Sequence, residues 1–205
     1  MELSIHNSVA ILAFSPSTGY PRLTLLVLQR MSNLLDKVLA ASVFTGVVIA
    51  ANDRSFATGA DIEQVSAVKG IRAWEFAGRG QSICRRIASF PLPVVAAIRG
   101  YCLGGGLDLA LACHGRVASF DASFGHPGPG LGLMTGWGGT QGLPRLLGRA
   151  AALQMLLTAD RIPATQALHV GLVHKLVPDR DLISAAAGFA LALGRTFSKH
   201  SCDYF

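Results

Sequence analysis

Long hydrophobic runs are missing from this 205-residue chain: Asp, Lys or Arg breaks every apolar stretch well short of the ~20 residues that span a bilayer. No membrane partner is expected. Charged residues are scarce, at 15% against 51% hydrophobic, a balance that excludes an intrinsically disordered chain. No run of five Lys/Arg occurs, although 18 basic residues face 12 acidic ones for a formal charge of +6. Dispersed positive charge attracts nucleic acid, anionic lipid or a small polyanion without choosing among them, so nucleic acid is not an expected partner. The four cysteines form no CxxC pair and have no His-rich partner spacing, which argues against a metal site and a disulfide framework and for buried free thiols. Neither the 23 glycines nor the 9 prolines follow a fixed period, which removes collagen and Pro-rich linkers. The opening MELSIHNSVAIL has no basic segment ahead of an apolar block, so no secretory leader and a cytoplasmic setting are the expectations.

What is present is an alternation. SVAILAF (8–14), FTGVVIAAN (44–52), PLPVVAAIRG (91–100), RVASF (116–120) and LVHKLVP (172–178) read as strands. Asn52-Asp53 bounds the second. Between them, 22–42 and 71–89 carry apolar residues every three to four positions and predict amphipathic helices; LDLALACHG (107–115) is apolar all round and predicts a buried one. Strand–helix alternation predicts an α/β fold with a mostly parallel sheet. The final stretch starts as a helix and loses its period after Gly194.

Glycine clusters mark two places where the chain leaves a strand. In SFATGADIEQVS (55–66) a helix starts near Asp61, with Asp61 or Thr58 as its cap. In YCLGGGLDLALAC (101–113) three glycines open the buried helix. Glycine permits a tight turn and lets ligand atoms approach backbone N–H groups. Two such donors converging from separate turns would make an oxyanion hole for a thioester carbonyl. Alone, the triple glycine reads as a plain strand–helix turn that needs no ligand. No GKS or GKT follows it, and the GxGxxG spacing of a dinucleotide fold is absent.

Taken together, FATGADI, PLPVVAAIRGYCLGGGLDLALAC, SFGHPGPGLGLMTGWGGTQGLPRLLG and ALQMLLTADRIPATQALHVGLVHKLVP resemble, in order and spacing, the crotonase (enoyl-CoA hydratase/isomerase) superfamily. The resemblance covers about residues 8 to 190. It implies a crotonase-like (ClpP/crotonase) α/β spiral of ββα units, with residues 1–194 as one acyl-CoA-binding domain and 195–205 as a short tail. It implies an acyl-CoA thioester as substrate, no cofactor beyond the coenzyme A that the substrate carries, and a trimer or hexamer. By position, the backbone N–H groups of Ala60 and Gly105 are the implied oxyanion hole. Asp108, two residues after the glycines, is the implied catalytic carboxylate. Thr58, Gly59, Asp61, Gly104 and Gly128 are the implied substrate and CoA contacts, although capping explains Asp61 without a ligand.

Three departures accompany the resemblance. The hydratase FGxPE stretch reads FGHPGPG here, which leaves Gly128 at the second carboxylate position; the dienoyl-isomerase Asp position is Gly136. His126 on the same loop is either a substitute proton carrier or a residue that holds the loop's shape. The chain also ends in SKHSCDYF ahead of the helices that cover the acyl pocket in the family. An exposed pocket and altered association are the resulting expectations. The implied activity is proton transfer at an acyl-CoA by Asp108, with a binding protein of little catalysis as the alternative. His114 reads as a helix C-cap, Trp74 and Trp137 as packing residues with Trp137 in a loop that could wall the pocket, and His169 and His174 as surface or packing residues. Arg54 and Lys69 read as solvated cations, with CoA phosphates as their alternative partners.

Overall fold

The computed structural model describes residues 1–15, 19–51 and 54–196. Its elements run β1 (Glu2–His6), β2 (Val9–Phe14), α1 (Leu25–Ala41), β3 (Gly46–Ala51), α2 (Ile62–Ala67), α3 (Ile71–Ala88), β4 (Val94–Ile98), β5 (Tyr101–Leu103), α4 (Gly105–Ala112), β6 (Gly115–Ser119), β7 (Ser123–Gly125), α5 (Gly139–Leu147), α6 (Arg149–Thr158), β8 (Arg161–Pro163), α7 (Ala164–His169), β9 (Lys175–Val177) and α8 (Leu182–Gly194). The larger sheet has the order β1-β2-β3-β4-β6-β9, and the smaller β5-β7-β8. From β2 to β9 the larger sheet is parallel, with β1 added antiparallel at its edge. Each of β4 and β6 hands the chain to a strand of the smaller sheet before the next helix, so β4–β5–α4 is one ββα unit and β6–β7–α5 the next.

The Val- and Ile-rich strands are unbroken in hydrophobicity because both faces of the larger sheet are covered. Val9, Ile11, Val48, Val95 and Val117 face Leu182, Ala186, Ala187 and Ala190 of α8. Leu12, Phe14, Val47, Ile49, Ala96 and Ile98 face the core shared with α1, α3 and α4. Small strand residues let α8 lie close: a Cβ on Gly46 would stand 3.1 Å from Ala190 Cβ, and one on Gly115 2.6 Å from Phe189. Helix α1 is capped by Thr24, whose hydroxyl accepts the Val27 N–H at 3.2 Å, and buries Leu28, Met31, Leu35 and Val38 along one stripe.

Several sequence expectations shift. Helix α1 begins at Leu25, not 22, because Leu23 is bridged to Ala60 instead. β1 was not expected, although ELSIH alternates Leu3 and Ile5 with polar residues; none of its five residues is buried. The strand expected over 172–178 shortens to Lys175–Val177, because the N–H groups of Leu172 and Val173 turn back to the Ala167 carbonyl. The boundary Asn52-Asp53, Cys202 and most of the expected 195–205 tail lie outside the described residues. Among the described residues no helix is long and apolar enough to cross a membrane.

Candidate active site

The two glycine turns of the sequence are laced together by backbone. Phe56 N–H donates to Arg99 O (2.9 Å), Ala57 N–H to Tyr101 O (3.0 Å) and Leu103 N–H to Ala57 O (2.9 Å). Beyond this ladder the turns nest so closely that only glycine serves. A Cβ on Gly106 would lie 2.5 Å from Ala57 O, and one on Gly59 (φ +106°) 3.1 Å from Leu103 O and 3.3 Å from Gly105 N. Gly105 is the first residue of α4, so its N–H has no partner within the helix. Leu23 N–H donates to Gly59 O at 2.9 Å in a parallel bridge centred on Ala60. In such a bridge Leu23 engages the residues flanking Ala60, which turns the Ala60 N–H to the opposite side.

One turn into α4, Asp108 is 1% exposed. Its Oδ2 accepts the Thr135 hydroxyl. Burial pushes the carboxyl up to about 7, against the opposing pull of that hydroxyl and of the Trp137 and Gly139 N–H groups. His126, 2% exposed, brings Nε2 to 3.5 Å from Asp108 Oδ1, and neither atom has a hydrogen-bond partner within the protein. Desolvation holds the imidazole down to about 4, so it is neutral near pH 7. Both groups crowd Gly139: a Cβ there would meet Asp108 Oδ1 at 2.4 Å and His126 Nε2 at 2.9 Å. The Trp137 indole lies against the glycines of two helices, since a Cβ on Gly80 would stand 2.1 Å from its Nε1 and one on Gly105 2.6 Å from its Cζ3.

Asp108, His126, Thr135 and Trp137 line one largely apolar cavity of about 360 Å³. Thr58, Gly59, Ala60, Gly104, Gly105, Asp108, His126 and Gly128, all named from the sequence, lie on its wall. Among the described residues Asp108 is the carboxylate in that lining. Asp61 is not on the wall. It caps α2, accepting the Gln64 N–H at 3.0 Å, and stands 3.2 Å from Arg22; the first contact, then the second, holds its carboxyl below the usual range. Thr58 does not cap α2, because its hydroxyl donates to Pro21 O. A buried carboxyl in the lining of a largely apolar cavity is placed for proton transfer.

Comparison with known proteins agrees with this geometry. Residues 5–201 match the enoyl-CoA hydratase/isomerase family. The chain belongs to that family. It is 42% identical over 153 residues to a crotonyl-CoA hydratase of Syntrophomonas wolfei, covering 75% of this chain and 58% of that protein. It is 41% identical over 179 residues to a fatty acid oxidation complex subunit alpha of Shewanella halifaxensis, covering 85% of this chain and 25% of that one. The chain therefore spans less than two thirds of either relative. The crystal structure of an enoyl-CoA hydratase from Bacillus anthracis superposes with a TM-score of 0.88 at 28% identity, covering 97% of this chain and 77% of that one.

Within this enoyl-CoA hydratase/isomerase chain, the two positions lacking a carboxylate differ in kind. A Cβ on Gly128 would sit 2.7 Å from Leu133 O, whereas one on Gly136 would meet only Ala77 Cβ, at 3.8 Å. Thr135 and Gly139 were missed from sequence, because a hydroxyl and a glycine in a glycine-rich loop carry no spacing signal. His114 is a correction: α4 ends at Ala112 with Cys113 as its cap, and His114 instead takes the Val94 N–H on Nδ1 at 2.9 Å and meets Ala88 O with Nε2. Trp74 is another. It is 73% exposed on α3, since it lies off the stripe formed by Phe76, Ile83 and Ile87. His169 is exposed at the end of α7, His174 accepts the Arg116 N–H and packs on Phe189, and Arg54 and Lys69 are exposed away from the cavity wall.

Proposed function

We propose that the chain acts on a coenzyme A thioester, with the N–H groups of Ala60 and Gly105 holding the thioester oxygen and Asp108 moving a proton at the acyl chain. The observation that carries this reading is the buried Asp108 carboxyl, with Oδ1 unpaired, on a cavity wall shared with Gly105 and Ala60. When a base takes the α-proton, the electron pair moves onto the thioester oxygen. Fixed N–H donors stabilise that charge most where water is excluded. A carboxyl near 7 is present both as base and as acid at neutral pH, so one group can take a proton and return it. That suits a 1,3-shift of a double bond without a second carboxylate.

The test is incubation with crotonyl-CoA and a 3-enoyl-CoA in heavy water, read by mass spectrometry. Deuterium should enter the acyl chain, and Asp108→Asn should lower its entry ~10²–10⁴-fold. Protection of the protein against heat by the thioesters should survive the substitution. Equal loss of exchange and protection would count against the role. A second reading, an acyl-CoA-binding protein with little catalysis, is favoured by the crowding at Gly128, where the loop as folded has no room for a carboxylate. Thermal protection without any exchange would select it.

A further inference from the structure

Trp137 is the largest side chain on the cavity wall and is buried. It reaches the wall from the loop ahead of α5, and its ring spans the gap between two helices. The pyrrole edge lies over Gly80 of α3, where a Cβ would overlap Nε1 and Cδ1. The benzene edge lies over Gly105 at the start of α4, where a Cβ would stand 2.6 Å from Cζ3 and 2.7 Å from Cε3. Both helices are bare of a side chain where the indole meets them, so the ring seats to a depth that any larger residue at either position would deny it. Phe76, one turn before Gly80 on α3, meets the indole with ring centroids 5.9 Å apart and planes inclined by 38°. From its main chain, the Trp137 N–H pulls on the Asp108 carboxyl. One residue thus touches Gly105 with its ring and Asp108 with its backbone, and closes the cavity between them.

We propose that Trp137, seated on Gly80, is the end wall that selects short, straight acyl groups. The inference rests on the thioester reading above. A carbonyl oxygen at the Gly105 N–H and an α-carbon beside Asp108 put the first carbons of the acyl group next to the benzene edge, because that edge already packs on Gly105. The carbons beyond them run toward the indole and Phe76. Up to the wall each methylene gains apolar contact; past it each one overlaps a ring that backbone holds at both edges and Phe76 holds from the side. A flat ring wedged in this way has no staggered alternative to swing into, unlike an aliphatic side chain at a free surface. Gly80 is the second half of the device. A methyl there would drive the indole off α3 and into the cavity, shortening the space for the acyl group without touching Asp108.

The experiment measures the affinity of the full chain for butyryl-, hexanoyl- and decanoyl-coenzyme A through the rise in melting temperature that each produces across a concentration series. Wild type should bind the butyryl thioester at least ~10-fold more tightly than the decanoyl one. Trp137→Leu should erase or reverse that ratio, chiefly by tightening the decanoyl thioester. Trp137→Phe, a smaller ring, should move it part of the way and repeats the test should the leucine variant not fold. Gly80→Ala should weaken hexanoyl more than butyryl binding. Combined with Trp137→Leu it should show the preference of Trp137→Leu alone, since no ring is left to displace. A tryptophan that only packs would lower the melting temperature of the free protein and weaken all three thioesters alike, which would overturn the proposal. Wild type binding all three lengths equally would also overturn it and leave the thioester reading standing. No protection of wild type by any of the three would remove both.

Discussion

The turn pair that carries Ala60 and Gly105 is made of backbone, whereas the group around Asp108 is made of side chains gathered from 126–139, and the two tolerate change differently. In the first, donors come from main chain and glycines are needed because carbonyls lie within 2.5–3.1 Å of where a Cβ would be. In the second, what matters is which side chain meets which carboxyl oxygen. In the function proposed above, the backbone half would hold the thioester and the side-chain half would move the proton.

The sharpest way to break this division is a pair of glycine substitutions in the side-chain half. Gly139→Ala puts a methyl 2.4 Å from Asp108 Oδ1 and 2.9 Å from His126 Nε2, so proton exchange should fall ~100-fold or more while thioester protection persists. Gly136→Ala, with one ordinary contact at 3.8 Å, should change exchange less than about threefold. Similar losses at both positions would show that loop rigidity, not the packing around Asp108, governs the site. Isotope incorporation and a melting curve for each variant decide it.

A middle-sized effect should appear on removing one donor. Thr135→Val deletes the hydroxyl that favours ionised Asp108, so the carboxyl should rise above about 7. Base-dependent exchange requires the ionised form. The rate should therefore climb with pH through neutrality in wild type, and through a higher pH in the variant. At pH 7, where wild-type Asp108 is about half ionised, a tenfold weakening of the acid should lower the rate about fivefold. Stability moves oppositely. A carboxyl whose ordinary value of 3.8 is raised to about 7 favours the fold most fully below 3.8, and that contribution is lost as pH rises through 7. His126, depressed from 6.5 to about 4, contributes stability above 6.5 that is lost as pH falls through 4. Asp108→Asn should remove the part of the melting profile that falls as pH rises from 3.8 to about 7, and leave the contribution of His126 in place.

The smallest effect belongs to a residue beside the backbone half. Asp61→Ala removes the cap of α2 and should cost about 1 kcal/mol of stability, with exchange and thioester protection within about twofold of wild type. Marked loss of protection would instead assign Asp61 to coenzyme A binding.

The core strands and the glycine turns were legible in the sequence because each has a local cause: runs of Val and Ile buried on both faces, and glycines where main chains meet. What was not legible is long-range. His114 closes on Val94 and Ala88 across the fold, and Thr135 meets Asp108 from 27 positions away. The proximity of His126 to Asp108 depends on how β7 runs beside β5, which no spacing encodes.

The cysteines give the buried helix its own clock. Cys102 stands just ahead of α4, its thiol 3.6 Å from Gly106 O, and Cys113 closes the helix with its thiol toward Leu109 O at 3.4 Å. Both are fully buried, as is Cys84 on the neighbouring α3, and burial raises the Cys84 and Cys102 thiols well above their ordinary value. A thiol reagent attacks only the ionised, accessible form. Alkylation mapped peptide by peptide over time thus counts how often the helix that presents Gly105 and Asp108 comes loose, and whether a bound thioester slows the ticking.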